Sequence, residues 1–185
     1  MSSPATVGGD ERLRLFIALR LPSSVVDELV SWQVAALRAE GARAVLPENL
    51  HVTVAFLQRR PASDVAAILA ELRIAASDAQ PMELAPRDYR ETPRVGMLRL
   101  SDRDLHAHDF AQAVGQRLAL RDLYTPESRR WLPHVTVLRF RTPPHMRPAL
   151  PDLAPFSPSD AALYHSVLRP SGAQYTIIET AALGG

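Results

Sequence analysis

One tetrapeptide occurs twice without change: His51-Val52-Thr53-Val54 and His134-Val135-Thr136-Val137. Side chains on an extended strand alternate with period 2, so each His shares a face with its Thr while the valines take the other. The His and Thr then stand roughly 7 Å apart, within joint reach of one phosphate. An imidazole near its reference pKa of about 6.5 takes or gives a proton at neutral pH. Two of them, one neutral and one protonated, supply base and acid on opposite sides of an in-line displacement at phosphorus. The threonine hydroxyls donate to non-bridging oxygens, where charge accumulates. This chemistry requires no metal and no cofactor, and His-x-Thr lacks the His/Asp/Glu clustering of a zinc or magnesium site. One copy alone suits a satisfied core histidine on an amphipathic strand. Two identical copies in matching halves point to function.

The elements that must position these residues are legible from periodicity. Leu13 to Leu21 is nearly continuous apolar sequence and suits a central strand. Pro22 and Ser23 open a helix running to about Glu40, with Val26, Leu29, Val30 and Leu37 on one face, and Gly41 ends it. Asn49 to Leu57 reads as the strand of the first motif. Pro61, Ser63 and Asp64 start a second helix, and Pro81 to Tyr89 and Arg94 to Leu100 form two strands about a turn at Thr92–Pro93. The second half repeats the plan: a helix over Asp102 to Leu120, then the second motif strand over Pro133 to Phe140. An irregular proline-rich connection over 143–158 leads to strands at Ala162 to Leu168 and Gln174 to Ala182, joined by a Pro170–Gly172 turn. Without a βαβα rhythm, the class is α+β with antiparallel sheets.

Composition narrows the function classes. The 185 residues are 46% apolar with a net charge of +1, which excludes a disordered chain and argues against a protein coating nucleic acid by bulk charge. No apolar run reaches a membrane span, and residues 1–11 read as a loose tail without a secretory signal. The chain has no cysteine, so disulfides, thiol nucleophiles and Cys-bound zinc are excluded, and a cytoplasmic location fits. All 21 basic residues are arginine, which rules out Schiff-base and P-loop lysine chemistry but leaves the better planar partner for phosphate.

Taken together, these segments resemble the RNA 2′,3′-cyclic phosphodiesterases, also called 2′,5′-RNA ligases, of the two-histidine phosphoesterase superfamily. RLRLFIALRLP is similar to that family's opening strand, PENLHVTVAFL to its first motif and PRVGMLRL to its middle strand. ESRRWLPHVTVLRF is similar to the second motif, and LYHSVLRPSGAQYTIIE to the closing hairpin, with Ser166, Gly172 and Tyr175 matching. The resemblance implies a two-lobed, pseudo-symmetric fold over 12–185, antiparallel sheets forming a central basic cleft and helices packed outside. It also implies hydrolysis of an RNA-terminal 2′,3′-cyclic phosphate to a 2′-phosphate by a monomer acting on RNA 3′ ends or nucleotides. His51 and His134 become the catalytic pair, His51 protonating the leaving 3′ oxygen and His134 activating water. Thr53 and Thr136 bind the phosphate, and Phe56 and Arg139 flank the nucleobase. Gln58 stands where relatives commonly have glycine, and Leu132 where a basic residue is common.

Phe56 and Arg139 each lie five residues after their histidine, an odd offset that ideal alternation sends to the opposite face. Reaching the cleft requires each strand to end, twist or bulge after its motif. Elsewhere, His106 and His108 read as solvated helix residues, His145 as exposed, and His165 as a strand residue able to approach the cleft. Arg129 is either structural or phosphate-facing, and Trp32 and Trp131 are packing residues. Alternative activities on the same fold are 2′,5′ ligation or turnover of a small cyclic phosphate; a non-catalytic RNA-end binder is the alternative from another class.

Overall fold

The longest apolar run becomes the spine of the sheet. In the computed structural model, which describes residues 11–169 and 172–184, β1 (Arg12–Arg20) lies between β3 (His51–Pro61) and β7 (Asp160–Arg169). Leu15, Ile17 and Leu19 on one face and Phe16 and Ala18 on the other are all fully buried, as a strand covered on both sides must be. The remaining strands are β2 (Ala42–Ala44), β4 (Leu84–Glu91), β5 (Val95–Asp102), β6 (His134–Phe140) and β8 (Gly172–Ala181). The sheet order is β4-β5-β6-β3-β1-β7-β8, entirely antiparallel, with β2 added beside β6.

The two motif strands meet at the middle of this order through a single register pair, Val52 with Val135. Either side of that pair the sheet divides into a β4-β5-β6 half and a β3-β1-β7-β8 half. Helices α1 (Ser23–Ala36), α2 (Val65–Ser77) and α3 (His106–Ala119) pack on one face, where Leu29, Ile68, Leu72, Phe110, Val114 and Leu118 join the valines of both motifs in the main core. The opposite face of the curled sheet is concave and carries a separate small cluster of Phe16, Ala18, Ala162 and Tyr164, with Tyr175 against it. Buried Glu71 on α2 accepts from Arg117 on α3 and from Arg121 in the turn just after it, each at 3.0 Å, and ties the two helices together. The proline-rich connection shields the outer edge of β4: Leu84 and Phe156 exchange backbone hydrogen bonds of 2.8 Å.

Several boundaries differ from expectation. The first helix stops at Ala36 rather than Glu40, because Leu37 leaves helical geometry (φ −111°, ψ 42°) and the chain turns into β2, a three-residue Ala-Arg-Ala strand with no signal of its own. The third helix begins at His106 rather than Asp102, since Asp102 ends β5 and its carboxylate accepts from the His108 and Ala107 backbone N–H groups at 2.8 and 3.4 Å. The expected tail lies outside the described residues except for Glu11, whose carbonyl accepts from the Ala62 N–H at 2.9 Å. Pro170 and Ser171 of the expected final turn also lie outside them. Among the described residues no helix is long and apolar enough to cross a membrane.

Candidate active site

Antiparallel pairing of Val52 with Val135 sets the geometry of the motif residues. One step either way along the strands, His51 comes opposite Thr136 and Thr53 opposite His134, related by a local twofold through the valine pair. All four are half-buried and share the concave face, while the valines enter the core.

Each imidazole is oriented by a backbone carbonyl two residues earlier in the chain. His134 Nδ1 lies 2.9 Å from the Leu132 carbonyl, which can only accept, so Nδ1 carries the proton and Nε2 is the nitrogen left for chemistry. The His51 ring hydrogen-bonds to the Asn49 backbone in the corresponding place, and its Nε2 lies 3.1 Å from Thr53 Oγ1. Trp131, packed as expected, adds a tie between the halves by donating from Nε1 to the Thr53 carbonyl at 2.9 Å.

The electrostatics of the two histidines differ. His51 sits against Phe16, Tyr164 and Tyr175, with ring centroids 5.0, 5.8 and 5.5 Å away. Desolvation by this wall lowers its pKa to about 4; the Asn49 hydrogen bond opposes the shift, and the charges of His134 and Arg139 add to it. His51 is therefore neutral at pH 7 in the free protein. Sequence reasoning misses the aromatic wall, although Phe16 and Tyr175 stand in segments resembling the family. Its assembly needs β1, β7 and β8 side by side, which no local pattern announces.

The odd offset of Phe56 and Arg139 is resolved by a bulge at the same place in both copies. In β3, Thr53 pairs with Ala18 and Ala55 with Ile17, so Val54 is the extra residue. In β6, Thr136 pairs with Met97 and Leu138 with Gly96, so Val137 is extra. Each bulge shifts the alternation by one. Ala55 and Leu138 turn into the core, and Phe56 and Arg139 emerge exposed on the concave face. They stand on opposite sides of the local twofold. Between them, Phe16 lies 5.7 Å from Phe56 and 4.9 Å from Tyr175, and Arg139 Nη2 lies 3.5 Å from the Tyr175 hydroxyl.

A buried side chain holds the second bulge. Gln33 on α1, 4% exposed, donates from Nε2 to the Val137 carbonyl at 2.7 Å and to the Val45 carbonyl at 3.1 Å. In β3, Gln58 takes φ +59°, the left-handed region that favours glycine, which explains why glycine suits this position.

The other candidates stay outside this group. Arg129 is exposed and pairs with Glu127 at 2.9 Å. His165 pairs in register with Leu15, a core position, and so lies on the opposite face from His51. His145 is exposed. His106 and His108 are half-buried rather than solvated: His106 Nδ1 donates to the Pro81 carbonyl at 2.6 Å, and His108 approaches Trp131 at 6.5 Å. Trp32 is buried, its Nε1 donating to the Ala149 carbonyl at 2.7 Å.

Comparison with known proteins agrees with this architecture. The RNA 2′,3′-cyclic phosphodiesterase of Thermus thermophilus is 31% identical over 182 residues, spanning 94% of this chain and 91% of its own. The crystal structure of TT0787 of Thermus thermophilus superposes with a TM-score of 0.80 at 27% identity, over 94% of this chain and 99% of that one. Escherichia coli LigT complexed with 3′-AMP superposes with a TM-score of 0.76 at 26% identity, over 95% and 100% of the two chains. The pattern of the 2′-5′ RNA ligase superfamily matches residues 23–168, from the start of α1 into β7 and through both His-x-Thr strands, and the chain belongs to that superfamily.

Proposed function

We propose that this protein is an RNA 2′,3′-cyclic phosphodiesterase that opens a terminal cyclic phosphate to a 2′-phosphate without a metal. The observation that carries this reading is the twofold-related His-x-Thr pair on one concave face, with the His134 ring held at Nδ1 by the Leu132 carbonyl and the His51 ring held between the Asn49 backbone and Thr53. Family membership and the name of the Thermus thermophilus relative support the same activity.

Thr53 and Thr136 donate to the non-bridging oxygens of the cyclic phosphate. One imidazole takes a proton from water as its oxygen attacks phosphorus; the bond to the 3′ oxygen breaks, and the other imidazole protonates that oxygen. The family resemblance gives His51 the donor role. A bound phosphate supplies the proton affinity it lacks in the free protein. A unit negative charge about 4 Å away is worth about 4 kcal/mol at an effective dielectric near 20, enough to return the ring to the neutral range. Phe56 and Arg139 bound the space for the terminal base at either end, with Tyr175 between them and buried Phe16 packed beneath. A ring face and a guanidinium plane accept any base.

The test is incubation of the protein, with chelator present, with an oligoribonucleotide ending in a 2′,3′-cyclic phosphate. New 2′-phosphate ends are expected. A 3′-phosphate product would overturn the choice of leaving oxygen, and tight binding without turnover would make the protein an RNA-end binder.

A further inference from the structure

The concave face does not end at Phe56. On β1, Arg14 lies two residues before Phe16 and shares its face; on β3, Arg59 follows Phe56 by three, and the extra residue Leu57 restores the face. Arg14 and Arg59 are direct register partners, both exposed, and neither enters an ion pair among the described residues. Like charges directly opposite one another on a sheet destabilise it. A third cation borders them: Arg12 Nη2 donates to the Arg59 carbonyl at 2.7 Å. By contrast Arg60, beside them, is committed to the Asp64 carboxylate and the Asp122 carbonyl. The site also has room. Arg59, though not Arg14, lines a surface cavity of about 260 Å³ that runs from Phe56 past Gln58 and Arg60 to Asp122 and Tyr124.

We propose that Arg14 and Arg59 form a subsite for the phosphodiester immediately 5′ to the terminal nucleotide, with the cavity beside Phe56 receiving the sugar and base that this phosphate carries. The inference rests on the RNA reading above. The Arg14–Arg59 pair lies about 7 Å along β1 beyond the Phe16–Phe56 pair, one nucleotide step onward from a base held at Phe56. An anionic diester between two guanidinium groups turns a repulsive cross-strand pair into a bidentate cradle. Nothing in this arrangement touches the cyclic phosphate, so a mononucleotide makes no use of it.

The experiment compares a nucleoside 2′,3′-cyclic phosphate with a trinucleotide ending in the same group, in wild type and in the Arg14→Gln/Arg59→Gln double variant. Wild type is expected to prefer the trinucleotide in kcat/KM. The double variant is expected to lose about tenfold on the trinucleotide and keep the mononucleotide rate. The slope of log kcat/KM against log salt for the trinucleotide should shrink by about 0.7 for each phosphate no longer neutralised. The melting temperature of the double variant should not fall, because the change removes a repulsion. Equal losses on both substrates, or no wild-type preference, would overturn the subsite. Binding of a trinucleotide ending in 2′-phosphate, read by fluorescence anisotropy against the matching mononucleotide, decides the same point without turnover. If neither cyclic phosphate reacts, the catalytic reading fails, while loss of the trinucleotide's extra affinity in the double variant still upholds the subsite.

Discussion

His51 is the residue on which the pH behaviour of the proposed reaction turns. One proton must be shared between His51 and His134 in the working enzyme, one ring giving and the other taking. Desolvation keeps a second proton off His51 until about pH 4. The acid limb of kcat/KM for the free enzyme should therefore lie near pH 4, whereas an acid limb at the ordinary histidine value would contradict the aromatic wall as its cause. Replacing Tyr175 with Ala hydrates the ring edge and should move that limb upward. The profile has the same form whichever ring donates, because both assignments contain one proton. A substrate with a better 3′ leaving group separates them: it should rescue His51→Ala, the loss of the donor, and leave His134→Ala slow. Each single variant should lose at least about 100-fold, with the double little worse than either, since members of one acid–base pair are not additive.

At the scale of elements, the decisive devices are the matched bulges at Val54 and Val137. The motif strands are legible in the sequence because period-2 alternation, β-branched residues and an identical tetrapeptide all agree. The turn of Phe56 and Arg139 onto the concave face is not, because what fixes a bulge lies far away in sequence. The Val137 carbonyl is held by Gln33 Nε2 and the Val45 N–H, from α1 and the segment after β2. A buried glutamine in a helix gives no sequence cue to the carbonyl it serves. Gln33→Leu takes the side-chain donor from the Val45 carbonyl and one of two donors from the Val137 carbonyl, and should lower stability by about 1–3 kcal/mol, the range for a buried polar group left unpaired, read from the urea midpoint. It should also reduce kcat/KM in wild type but add little in an Arg139→Ala background, since the two changes act on one feature. Independent effects of the two substitutions would show that the glutamine serves packing alone.

Across the whole molecule, the same buried histidine couples acidity to folding. Its folded pKa lies below the unfolded value of about 6.5, so between those two values the unfolded chain binds a proton that the native one does not. Stability attributable to His51 is complete above about pH 6.5 and declines as pH falls towards 4. The melting temperature over that window should fall more steeply in wild type than in His51→Gln, and parallel declines would deny the coupling. The strand order has a further consequence, for synthesis rather than equilibrium. β1 emerges first and finds β3 soon after, yet its other neighbour, β7, is made only after the whole β4-β5-β6 half. Until then one edge of the most apolar strand stands unpaired, the kind of edge that recruits other chains. Both His-x-Thr copies have left the ribosome by this stage, but Tyr164 and Tyr175 have not. A nascent chain thus carries its full set of proton-transfer groups before it has the wall that tunes them, and that wall is complete only when the last hairpin closes over the first strand.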